Sequence, residues 1–224
     1  MEKKLIKLQA GTKWTSIILP MLLVISNFCF SQYTIKSHYD KYDDFKIFEI
    51  DNNFLTLKNL NSNTSIRLDA YCFLKSNVVV YRLKVQYYSS DWLFIGAGES
   101  LVLLIDGKRL GFTGNGSSGD REVLTGTGVA IKEIAYYPIT KEEFEQIAKG
   151  ELIEIKLSGD KYFIECMFNK WNKQAFRIFY DNYVNKSADE LNKMPLQKER
   201  KLMTKRTGGF ILLIAVLTLL IIGN

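Results

Sequence analysis

The strongest constraint in this chain is an alternation. Val79, Tyr81, Leu83, Val85 and Tyr87 fall on one side of an extended segment, with Arg82, Lys84 and Gln86 on the other. A period of two sends successive side chains to opposite faces of a strand, so this stretch belongs in a sheet with one apolar face. The pattern recurs at 66–70 and 153–157, while the unbroken apolar run 101–105 reads as a more deeply buried strand. Asp106-Gly107 joins 101–105 to 108–112 and Gly159-Asp160 joins 151–158 to 161–167, because both dipeptides accept positive φ at low cost.

Two helices interrupt the strands. Thr140 and Glu143 make a capping box, Phe144, Ile147 and Ala148 supply an apolar face, and Gly150 stops the segment. A second helix starts near Asn169, with Trp171, Ala175, Ile178 and Phe179 at helical spacing. With no repeat and no long linker inside 32–185, these elements predict one mainly β domain. Its expected form is an antiparallel β-sandwich or partly closed barrel with two peripheral helices, followed by a C-terminal transmembrane helix.

The net charge of +6 suggests a polyanion partner until its distribution is examined. Residues 1–31 carry +3 and 186–207 carry +4, which leaves −1 for 32–185. A nucleic-acid-binding domain concentrates positive potential on itself, so that function class is excluded. The flanks instead border apolar runs. Residues 1–31 have the layout of a signal peptide: a basic start, the apolar run 17–25, then small residues at Cys29 and Ser31 before Gln32. The uncharged run 208–224 has the composition of a short membrane span, and the Lys-, Glu- and Asn-rich 186–207 that of an exposed charged stalk, helical in part. These ends predict an exported protein anchored in a membrane, at the periplasmic face of a bacterial inner membrane, with lipid as one partner and an envelope protein as another.

Gly114-Asn-Gly116-Ser-Ser-Gly119 matches a phosphate-cradling G-x-G-x-x-G, but a strand-like segment follows it where that motif opens a helix. The segment is expected as a mobile hairpin loop whose Asn115, Ser117, Ser118, Asp120 and Arg121 offer a ligand-binding set. No catalytic residue is singled out. Gly98-Glu-Ser100 lacks the second glycine of a nucleophile elbow, and His38 is the one imidazole. The acids Asp40, Asp43, Asp44, Glu49 and Asp51 leave an alternative, a hydrolase of envelope polymer working with two carboxylates. One histidine and three cysteines provide little for a metal, and no cofactor is expected. Once the leader is removed, Cys72 and Cys166 remain, either as a disulfide or as buried free thiols.

The pieces Tyr39-Asp-Lys-Tyr-Asp-Asp44, Leu104-Ile-Asp-Gly-Lys-Arg-Leu-Gly111 and Tyr137-Pro-Ile-Thr-Lys-Glu-Glu-Phe144 resemble segments of uncharacterised exported bacterial domains. Phe30-Ser31-Gln32 resembles leader ends common in Bacteroidetes. The resemblance implies an envelope location and brings no activity or functional residue with it. The expected function is thus a membrane-associated envelope protein that acts as a binding or assembly module and not as an enzyme.

Overall fold

The computed structural model describes residues 33–58, 64–124, 128–196 and 200–201, with the side chains of 120–130 and 200–201 outside the described set. In chain order the strands are β1 (Thr34–Asp40), β2 (Phe45–Asp51), β3 (Thr56–Leu57), β4 (Ser65–Lys75), β5 (Val78–Ser89) and β6 (Ala97–Ile105). They continue as β7 (Lys108–Asn115), β8 (Ser117–Leu124), β9 (Gly128–Ile139), β10 (Ile153–Ser158), β11 (Phe163–Met167) and β12 (Arg200–Lys201). The helices are α1 (Lys141–Lys149), α2 (Lys170–Phe179) and α3 (Ala188–Lys193), and a π-helical turn at Tyr180–Val184 continues α2.

All pairings are antiparallel, and they build a seven-stranded sheet in the order β12-β1-β2-β4-β5-β9-β8 and a five-stranded sheet in the order β3-β11-β10-β6-β7. The alternation seen in sequence sets the packing. Leu68, Ala70 and Cys72 of β4 and Leu83, Val85 and Tyr87 of β5 turn inward, into one core shared with Leu101, Leu103, Ile155 and Leu157 of the smaller sheet. Each such leucine contributes about 1.5–3 kcal/mol by leaving water. The helices add their own buried faces to this core. Phe144 of α1 lies 5.4 Å from Phe176 and 5.8 Å from Phe179 of α2, and Tyr183 stacks on Phe48 of β2 at 4.8 Å. The Thr140–Glu143 capping box forms in full at the start of α1, and Asn169 caps α2.

Several expectations are corrected. Neither sheet closes on itself, so the barrel is excluded: each keeps two edge strands. Among the described residues there are three α-helices, where two were expected beside the sheets. The additional one, α3, occupies the start of the expected stalk, where Ser187 and Glu190 form a capping box and Leu191 is fully buried. Among the described residues no helix is long and apolar enough to cross a membrane. The longest, α2, has ten residues and reaches about 15 Å, half the thickness of a hydrocarbon core, and its apolar side is spent on the protein core. On that finding the membrane-anchored, lipid-contacting and periplasmic assignments are withdrawn; the leader 1–31 and the apolar run 208–224 lie outside the described residues.

Candidate functional site

The chain changes sheets twice at one corner: through 90–96, between β5 and β6, and at Gly116, between β7 and β8. Gly116 adopts φ +85°, a conformation that favours glycine, and an added Cβ would lie a tight 3.2 Å from the Ile95 carbonyl oxygen. The 90–96 segment is held from three sides. Glu133 of β9 is fully buried, and its carboxylate accepts from the backbone N–H groups of Leu93 at 2.6 Å, Phe94 at 2.9 Å and Ile95 at 3.0 Å. The Ser117 hydroxyl donates to the same carboxylate at 2.8 Å.

Five carbonyls of the segment, Asp91 to Ile95, also have donors. Tyr87 donates to Asp91 O at 2.9 Å, Tyr162 to Trp92 O at 3.3 Å, and Ser117 N–H to Ile95 O at 2.9 Å. Asp160 N–H is shared between Leu93 O and Phe94 O, at 3.3 and 3.1 Å. A charge-assisted bond is roughly twice as strong as a neutral one, so the three donors converging on Glu133 fix the backbone firmly.

That firmness offsets a local strain. Phe94 has φ +54°, a left-handed conformation that costs a residue with a Cβ about 1–2 kcal/mol. The strained residue presents its ring to solvent: Phe94 is 46% exposed and stacks on Trp92 with centroids 5.5 Å apart and planes 18° from parallel. The six-membered ring of Trp92 rests on Gly119, where any Cβ would fall 2.1 Å from a ring atom. Tyr162, 40% exposed, stands beside them with its hydroxyl 3.2 Å from that of Tyr87. Exposed Ser90, Asp91, Asp160 and Lys161 surround the rings.

The residues proposed from sequence are divided by this corner. Segment 114–119 is not a mobile loop; it is the end of β7, the Gly116 turn and the start of β8, both halves paired in sheets. Ser117 points inward to Glu133, whereas Asn115 and Ser118 are exposed. Asp120 and Arg121 pair through their backbones with Lys132 and Ile131, and their side chains lie outside the described set. Ser100 is buried, 2.9 Å from the Tyr137 hydroxyl, and His38 is exposed on β1 opposite Ile47.

The acidic segment does not converge on a cleft. Asp40 accepts from Tyr42 and Asp43 N–H groups within the β1–β2 turn, Asp44 accepts from the Tyr39 hydroxyl, and Asp51 pairs with Lys36 at 2.7 Å at the other end of β2, roughly 20 Å away along the strand. The two-carboxylate hydrolase therefore loses its geometric basis. Cys72 and Cys166 sit on opposite sheets as free thiols, and burial pushes both up to about 12. Of the two alternatives the sequence leaves open, free buried thiols are the one the structure holds.

Glu133 was the residue that sequence reasoning missed. Its signal is parity: in β9 it occupies the same face as Ile131, Ala135, Tyr137 and Ile139, all buried, and a carboxylate in an apolar register requires buried donors. Fold and corner together define a mainly β, two-sheet domain with a rigid aromatic display at a sheet crossing. No protein-family model, curated protein or solved structure matches this chain.

Proposed function

We propose that the domain recognises a neutral saccharide chain through Trp92, Phe94 and Tyr162, and works by binding without chemistry of its own. The observation that carries this is Phe94: a buried carboxylate and three consecutive N–H donors hold a strained residue so that its ring faces water. A fold gains no stability from displaying that ring, so a ligand is the natural beneficiary. Rings already fixed in place lose little entropy on binding, which raises affinity per contact.

The surroundings select the ligand class. A pyranose has an apolar C–H face that stacks on an aromatic ring, and hydroxyls that donate to carboxylates such as Asp91 and Asp160. Those two exposed acids, against Lys161, turn away polyanions. The test is affinity electrophoresis of the full chain through gels containing β-glucan, xylan, mannan or a polyuronate. Retardation by a neutral polymer, lost in both Trp92→Ala and Phe94→Ala, is the expected result. Retardation by none of the neutral polymers, or retardation unchanged by Phe94→Ala, overturns the proposal.

A further inference from the structure

The outer face of the seven-stranded sheet is unlike that of an ordinary solvent-facing sheet. Register places Phe45 of β2, Tyr71 and Phe73 of β4, Arg82 and Lys84 of β5 and Tyr136 of β9 on the side opposite the core. An antiparallel sheet with one wet face normally carries polar residues there. Here four aromatic rings from three strands touch in sequence. Phe45 meets Phe73 edge-on at 6.0 Å, Phe73 stacks on Tyr71 at 5.5 Å, and Tyr71 meets Tyr136 edge-on at 6.5 Å. The described helices place their buried residues in the core on the other side, and Tyr136 and Val80 remain 44% and 42% exposed.

Cations frame this apolar centre. Arg82 lies over the Phe73 ring at 5.5 Å, and Lys84 lies over Tyr71 at 5.5 Å while donating to its hydroxyl at 3.0 Å. Exposed Lys75 extends the cationic side along β4. Two acids neighbour these cations: Glu49 is engaged by the Tyr71 phenol, and Asp69, opposite Lys84 in register, is fully buried and accepts from Asn53 N–H and Gln86 Nε2. Aromatic and Arg residues at the centre with charge at the rim is the anatomy of a protein-binding surface.

We infer that this face docks an amphipathic acidic segment of another protein, its apolar side on the Phe45–Phe73–Tyr71–Tyr136 row and its carboxylates on Arg82 and Lys84. Charge complementarity selects that occupant. A second copy related by a two-fold axis would bring Arg82 and Lys84 toward their own equivalents, and the chain's two basic flanks share their sign. The inference is independent of the saccharide corner, which uses other residues.

The test measures binding of the full chain, by fluorescence anisotropy, to an amphipathic peptide of Leu and Glu, the same peptide with Lys replacing Glu, and oligo-deoxythymidine. The Glu peptide should bind, weaken as salt rises, and lose about tenfold or more in affinity with Arg82→Glu/Lys84→Glu and with Phe73→Ser. Arg82 is exposed, Lys84 and Phe73 are half-buried on the face away from the core, and circular dichroism checks that each variant folds. The double charge reversal should also acquire affinity for the Lys peptide, an outcome that misfolding cannot produce. Equal binding of both peptides by the unaltered chain, preference for the oligonucleotide, or self-association that survives the charge reversal would each overturn the inference.

Discussion

Removing the Glu133 side chain should release the 90–96 segment and lower global stability together. In Glu133→Ala, the buried N–H groups of Leu93 and Ile95 lose their acceptor outright, and the half-buried N–H of Phe94 loses it with access to water. A buried donor left unpaired costs about 1–3 kcal/mol, so two full losses and one partial loss come to roughly 3–6 kcal/mol. Glu133→Gln keeps one acceptor oxygen for Leu93 and Phe94 but turns an N–H toward Ile95, while Ser117 can rotate its hydroxyl to accept; about 1–3 kcal/mol is expected. Ser117→Ala removes one bond from a half-buried hydroxyl and should cost about 1 kcal/mol. Urea unfolding gives these differences, and amide hydrogen exchange reports Leu93, Phe94 and Ile95 directly. Should Glu133→Ala lose less than about 1 kcal/mol, or leave those three amides as protected as before, the carboxylate is not what holds the corner.

Phe94→Gly should be more stable than Phe94→Ala by about 1 kcal/mol, the reverse of the usual order away from turns, because only glycine is unstrained at φ +54°; thermal unfolding of the pair decides it, and equal stabilities would remove the strain from the account. Asp69 is fully buried, bonded to Asn53 N–H at 3.0 Å and Gln86 Nε2 at 2.8 Å, and desolvation raises its carboxyl from 3.8 to about 6. Between those values the folded state holds the extra proton, so this group's contribution falls as pH rises from about 4 to 6, by roughly 3 kcal/mol in all. Asp69→Asn should therefore stabilise more at pH 7 than at pH 4, and a difference independent of pH contradicts the shift. In a Cys29→Ser chain, Cys72 and Cys166 should react with a thiol reagent at pH 8 only after unfolding; prompt labelling of that native chain would show that the buried thiols are reachable.

Local geometry was legible in the sequence where one rule acts over a few residues. The alternation at 79–87 correctly placed Leu83, Val85 and Tyr87 inward, and the Thr140–Glu143 box fixed the start of α1. Asp106-Gly107 forms its tight hairpin with φ of +51° and +83°. The β4–β5 hairpin passed unnoticed because its turn, Ser76-Asn77, takes φ of +46° and +67° without a glycine.

What stayed hidden depends on residues far apart in the chain. Periodicity says that a strand has an apolar face and is silent about which sheet it joins, so the switch at Gly116 read as a loop. Glu133 and the N–H groups it binds are 38 to 40 positions apart, a separation no local pattern spans. The aromatic row on the open sheet comes from β2, β4 and β9, and only their register brings Phe45, Phe73 and Tyr136 together. Some helix in 186–207 was legible, and Ser187–Glu190 is its capping box, but the density of Lys and Asn hid that α3 buries Leu191 in the core instead of standing clear as a stalk.

The central claim is that a saccharide lands on Trp92 and Phe94, and fluorine NMR tests it directly. In the full chain labelled with 5-fluorotryptophan, the resonances of Trp14, Trp92 and Trp171 are assigned by single Trp→Phe replacements and followed during titration with a neutral oligosaccharide. The account predicts a saturable shift of the Trp92 resonance alone, absent in Phe94→Ala. A shift confined to Trp171, or no shift at Trp92 while the sugar demonstrably binds, would contradict it.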